Sequence, residues 1–194
     1  MLDVINNIRE IISDYIEELH KIAIKDKSNS KENIHLQNIC LLINTVDYCK
    51  ESIERMQELF ERIVDSPYDQ SSGLSIFEDL CKKRCLDFIN QLVQFYERQT
   101  DSLFVVWIRQ AMLEKGVEVV IPDTTISAIS DQFHQFKEKV NTLIQSQIYV
   151  NKVMRSSGEH SINRLVDFVS KQKKISMSGS KRTIDGLLIS LNIS

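Results

Sequence analysis

The sequence predicts an all-α protein, an elongated, rod-like bundle of antiparallel helices. Three observations carry that expectation. The 194 residues include only two Pro and five Gly, too few turn-makers for a sandwich or barrel of many short strands. Apolar residues recur at steps of three and four over long stretches, the period of one face of an α-helix. A content of 42% hydrophobic and 26% charged residues is that of a folded chain rather than a disordered one.

Residues 2–24 open the chain with Ile5, Ile8, Ile12, Tyr15, Leu19 and Ile22. The alternating three-four spacing is a heptad seam, with Asp and Glu between the apolar positions. Because the seam is short, packing along a neighbouring helix of the same chain is the simpler expectation than an intermolecular coiled coil. KDKSNSK, residues 25–31, is a polar loop that leads into a long central helix over residues 34–64. Apolar residues there fall at Ile39, Leu42, Ile43, Val46, Cys49, Ile53, Met56, Phe60 and Ile63, with no Pro or Gly between them. Residues 39–43 are apolar nearly all round, which predicts burial between neighbours. Lys50, Glu51, Glu54, Arg55, Glu58, Glu61 and Arg62 supply a wet face to the second half. Residues 1–65 thus read as a helical hairpin, and this central helix as the spine of the chain.

Residues 66–194 read as a helical bundle continuing the same rod. Pro67 and Gly73 mark a break, and Ser71 or Ser72 is placed to cap a third helix. That helix runs from about Leu74, with Ile76 or Phe77, Leu80, Cys81, Leu86, Ile89, Leu92 or Val93 and Tyr96 inward. SLFVVWIRQAML, residues 102–113, is rich in β-branched and aromatic residues, yet its flanks make it helix. VEVVIPD, residues 117–123, reads as a short extended link before Pro122. Asp123, Thr124 or Thr125 caps a fourth helix reaching about Met154, striped by Ile129, Phe133, Phe136, Val140, Leu143, Ile144 and Ile148. Ser156-Ser157-Gly158 reads as a turn. A short helix over residues 159–172 comes next, with Ile162, Leu165, Val166 and Val169 inward. KQKKISMSGSKR, residues 171–182, is a basic linker, and an amphipathic piece over residues 183–193 ends without a helix stop, as a cut end would.

The four cysteines do not form a disulfide framework. Cys40 and Cys49 share one helix nine residues apart, far beyond bridging distance, and Cys81 and Cys85 sit one turn apart. With no signal peptide in view, they read as reduced thiols in the cytosol. Zinc needs four ligands in close pairs, whereas His20, His35, His134 and His160 are scattered. There is no Gly-rich phosphate loop, G-x-S-x-G, H-E-x-x-H or EF-hand pattern. No catalytic, metal or cofactor-binding residue is assigned, and the chain reads as a non-enzyme. A net charge of −3 gives no global attraction to nucleic acid or anionic membrane, and no apolar run is long enough to span a bilayer.

The residues that stand out are Lys171, Lys173, Lys174, Lys181 and Arg182, a cluster without any acid. A solvated linker is the plainer reading. The functional one is a partner site for phosphoinositide headgroups or an acidic helix. No aromatic interleaves the cluster, which argues against single-stranded nucleic acid.

Residues 38–65, NICLLINTVDYCKESIERMQELFERIVD, resemble the helix of multisubunit vesicle-tethering (CATCHR-type) subunits in which an apolar run leads into Asn-Thr-x-x-Tyr-Cys. The resemblance is to the C-terminal region of the vacuolar-protein-sorting fifty-three subunits of the GARP and EARP complexes. Residues 173–191, KKISMSGSKRTIDGLLISL, show the same order of Lys-rich start, Ile-Ser-Met, Gly and Leu/Asp-containing helix. Gly186 interrupts what is there a more continuous Leu-rich run. Sister subunits of the oligomeric Golgi complex and the exocyst share the apolar-Asn helix. The resemblance implies a non-catalytic subunit, or a fragment of one, that captures endosome-derived vesicles at the trans-Golgi network before SNARE-mediated fusion. Its implied partners are other tethering subunits, SNAREs or small GTPases, and its implied location is cytoplasmic, peripheral at Golgi and endosomal membranes. A peripheral phosphoinositide-binding helical module is the alternative.

Overall fold

A computed structural model describes residues 2–25, 32–64, 71–113 and 123–171. They form five helices: α1 (Leu2–Lys25), α2 (Glu32–Val64), α3 (Ser71–Leu113), α4 (Asp123–Leu143) and α5 (Gln147–Lys171). No strand occurs among the described residues. The all-α helical-bundle class is therefore as expected. The loop after α1, the region of Pro67, the link over residues 117–122, the basic linker beyond residue 171 and the helix expected over residues 183–193 lie outside the described residues.

The chain divides into two compact units: Met1–Gln91 with Leu143–Ser146, and Leu92–Thr142 with Gln147–Ser194. In the first, Arg84 of α3 meets Glu17 of α1, and Asp87 meets His20. The paired residues ascend together, so α1 and α3 run parallel and α2 returns between them. In the second, Glu97 meets His160 and Asp101 meets Arg164, so α3 and α5 run parallel and α4 returns. Each unit is thus an up-down-up trio of helices.

α3 contributes core residues to each unit, whereas the central helix of residues 34–64 belongs to the first. Phe77, Cys81, Cys85, Phe88 and Ile89 are buried in the first unit. Leu92, Val93, Phe95, Tyr96, Thr100 and Phe104 are buried in the second. Adjacent buried pairs such as Phe88–Ile89 and Phe95–Tyr96 face different sides, as a helix with neighbours on more than one side requires. Residues 102–113 continue it without a break. Of the pair Ile76 or Phe77, Phe77 is the one buried; Leu86, expected inward, is exposed, while Cys85 and Phe88 take the core positions.

α2 buries Leu36, Ile39, Cys40, Ile43, Val46 and Ile53 as a single face. The expectation that residues 39–43 are enclosed all round fails at Leu41, which is 64% exposed. On α1 the face turned inward is that of Arg9, Ile16 and Ala23; of the heptad seam, Tyr15 and Ile22 remain exposed. An apolar surface wider than one neighbour can cover leaves part of itself outside.

The turn expected at Ser156-Ser157-Gly158 does not occur; these residues are helical within α5, and the chain breaks at residues 144–146 instead. Ser157, Gly158 and Ser161 are buried. Tyr96 lies in the same unit, against Phe133 and Phe136 at ring distances of 5.9 and 5.2 Å. Ser161 donates its hydroxyl to the Ser157 carbonyl at 3.2 Å. The Tyr96 hydroxyl, 3.0 Å from Ser161 Oγ, is therefore the donor to it. Small side chains let α5 approach the phenol closely, and Gly158 serves proximity rather than a turn. Because α4 stops at Leu143 and α5 restarts at Gln147, the stripe loses phase. Ile148 faces out, 67% exposed, and Val150 and Val153 take the core.

Candidate functional site

The thiols are held as thiols. None of Cys40, Cys49, Cys81 and Cys85 is in a disulfide. Burial pushes Cys40 and Cys81 up to about 12, with Cys85 and Cys49 nearby adding to the effect on Cys81. Cys49 is raised for the same reason. A nucleophile or a metal ligand must be a thiolate, which this environment disfavours. No group of three or more His, Cys, Asp or Glu suited to a metal ion occurs among the described residues.

Of the basic cluster, Lys171 is the last residue of α5. Lys173, Lys174, Lys181 and Arg182 lie outside the described residues.

The densest charged group is structural in form. Arg84 Nε and Nη2 donate to Glu17 at 3.0, 2.6 and 2.7 Å, and Nη1 donates to Asp87 at 2.8 Å. His20 Nε2 lies 3.5 Å from the same Asp87 oxygen, and its ring meets Phe88 edge-on at 5.7 Å. Burial pulls the Arg84 guanidinium down, but its bonds to Glu17 and Asp87 outweigh this and raise it. The planar fork matches a carboxylate geometrically, so the group fixes the register of α1 on α3.

Asn44 is the residue sequence reasoning did not assign. Its Nδ2 donates to the Leu143 carbonyl at 2.8 Å, and Gln145 N–H donates to its Oδ1 at 3.0 Å. A helix end leaves carbonyls without partners, which glycine or proline chemistry usually manages locally. Here one side chain, about a hundred residues away in the chain, closes both groups. A local signal existed in Ser146, of the N-cap type and directly before α5. The other half of the explanation is nonlocal.

In the same unit, α1 and α2 enclose a small groove of about 140 Å³ lined by Ile22, Ala23, Ile39, Leu41 and Leu42, with His35 and Asn38. Its lining is almost wholly apolar and carries no set of groups that would do chemistry. No helix among the described residues is long and apolar enough to cross a membrane.

Comparison of the chain with protein-family models, with curated protein sequences and with solved structures returns no match.

Proposed function

We propose that the chain is a non-catalytic helical subunit, or a segment of one, in a tethering complex of the GARP/EARP kind, acting on endosome-derived vesicles at the trans-Golgi network before SNARE-mediated fusion. The observation that carries this reading is the resemblance of residues 38–65 to the apolar-Asn helix of such subunits. Asn44, the asparagine of the Asn-Thr-x-x-Tyr-Cys pattern, has a physical reason to sit at the end of an apolar run, since it hydrogen-bonds both sides of the break between α4 and α5. The motif is then architectural, as befits a scaffold whose work is done by surfaces. The test is affinity capture of the native protein from a cell lysate, with partners identified by mass spectrometry. Recovery of GARP or EARP subunits is expected. Recovery of oligomeric Golgi or exocyst subunits would move the assignment to a sister complex, and the absence of any tethering subunit would refute it.

A further inference from the structure

We propose that the outer face of the α1–α2 pair docks an amphipathic helix from a partner protein, one whose apolar heptad stripe is flanked by lysine or arginine. Ile11, Tyr15 and Ile22 of α1, and Ile34, Leu41 and Tyr48 of α2, are between 48 and 69% exposed. Tyr15 and Ile22 are seven residues apart, and so are Ile34, Leu41 and Tyr48 in turn. Seven residues are two helical turns, so each set runs as a line along its helix. Ile22 and Leu41 line the same groove, which joins the two lines across the α1–α2 seam. The residues by which α1 meets α3, Glu17 and His20, lie on another side of α1. Two adjoining apolar ridges with a groove between them are what a third heptad helix packs into.

Charge selects the occupant. From Asn33 to Val46, α2 carries no Asp, Glu, Lys or Arg, the depletion seen at interface centres. On α1, Asp14 comes three residues after Ile11, and Glu18 lies between Tyr15 and Ile22 on the same side. Both acids are exposed. Glu18 is paired with Lys21 at 2.6 Å, so of these three charges the one left unbalanced beside the apolar ridge is the carboxylate of Asp14. A second copy of this face would bring further acids to the rim, whereas a helix flanked by Lys or Arg complements it. The inference shares with the proposed function only the premise that the chain works through partner surfaces.

The test uses the full chain and two labelled peptides of four heptads, identical in their Leu/Ile seam and flanked by Lys in one and Glu in the other. Fluorescence anisotropy is expected to show the Lys-flanked peptide binding at least about tenfold more tightly, about 1.4 kcal/mol, and weakening as salt is raised. Tyr15→Ser with Leu41→Ser is expected to weaken that binding by about tenfold or more. Asp14→Lys with Glu18→Lys, at exposed positions that leave the fold intact, is expected to reverse the preference toward the Glu-flanked peptide. Equal binding of both peptides, binding of neither, or an unreversed preference overturns the proposal. So does a homodimer in sedimentation velocity that Leu41→Ser abolishes, or binding to anionic vesicles lost in the same variants. Failure of the capture experiment leaves the peptide result standing, and the converse also holds.

Discussion

Replacing Asn44 with leucine removes both hydrogen bonds that close the α4–α5 break while keeping the side chain near its present size. Each bond is worth about 0.5–1.5 kcal/mol net, and the Leu143 carbonyl is left without its partner in a half-buried position. The expected loss is about 2 kcal/mol. With a urea m-value of about 3 kcal/mol/M for a chain of this size, the midpoint should fall by about 0.7 M at constant m. Amide hydrogen exchange separates the two bonds. In Asn44→Leu the Gln145 amide loses its acceptor and should exchange faster. In Asn44→Asp that acceptor survives, so Gln145 should stay protected. Stability should nevertheless drop, because a carboxylate then faces the Leu143 carbonyl in place of a donor. If Gln145 exchanges at the same rate in all three proteins and the midpoint does not move, the break is intrinsic to residues 143–147, and the reasoning fails.

Three further outcomes are expected. Tyr96→Phe deletes the donor to Ser161 but leaves Ser161 bonded to the Ser157 carbonyl, so it should cost only about 1 kcal/mol, read as a shift in thermal midpoint. In a double-mutant cycle, Arg84→Ala and Glu17→Ala should be coupled by about 1–2 kcal/mol, since the guanidinium is largely buried and makes paired bonds; additive effects would refute that assignment. Cys40 and Cys81 titrate near 12 when folded against 9.0 in the free side chain, so the unfolded state releases protons first. Their contribution is intact below about pH 9 and is lost between pH 9 and 12, at about 1.4 kcal/mol per pH unit for each thiol. Under reducing conditions, Cys40→Ala with Cys81→Ala should flatten the alkaline fall in stability, and an unchanged slope would refute the thiol origin.

Periodicity alone supports the helical class, and it does so because burial on a helix repeats every three to four residues. The stripe of Ile129, Phe133, Phe136 and Val140 is buried as spacing alone requires. Turn composition, by contrast, misplaced the connection that follows. Ser156-Ser157-Gly158 has turn composition, but small residues also suit a helix pressed against a tyrosine, and only the position of Tyr96 distinguishes the two uses. Of the candidate site, the basic cluster was visible as composition, while Asn44 was visible only as part of a resembling block.

What the sequence determined by itself was where helices can form and which residues are apolar enough to seek cover. Tertiary structure decided how much of that cover exists. It made α3 the helix buried on several sides, and it left Tyr15 and Ile22 of the predicted seam, and Leu41 of the run expected to be enclosed, in solvent. It also ended α4 with an amide from α2. The reason is physical: helix periodicity is set by contacts three and four residues apart. The partner of a carbonyl or the neighbour of an isoleucine is set by whichever distant segment packs beside it.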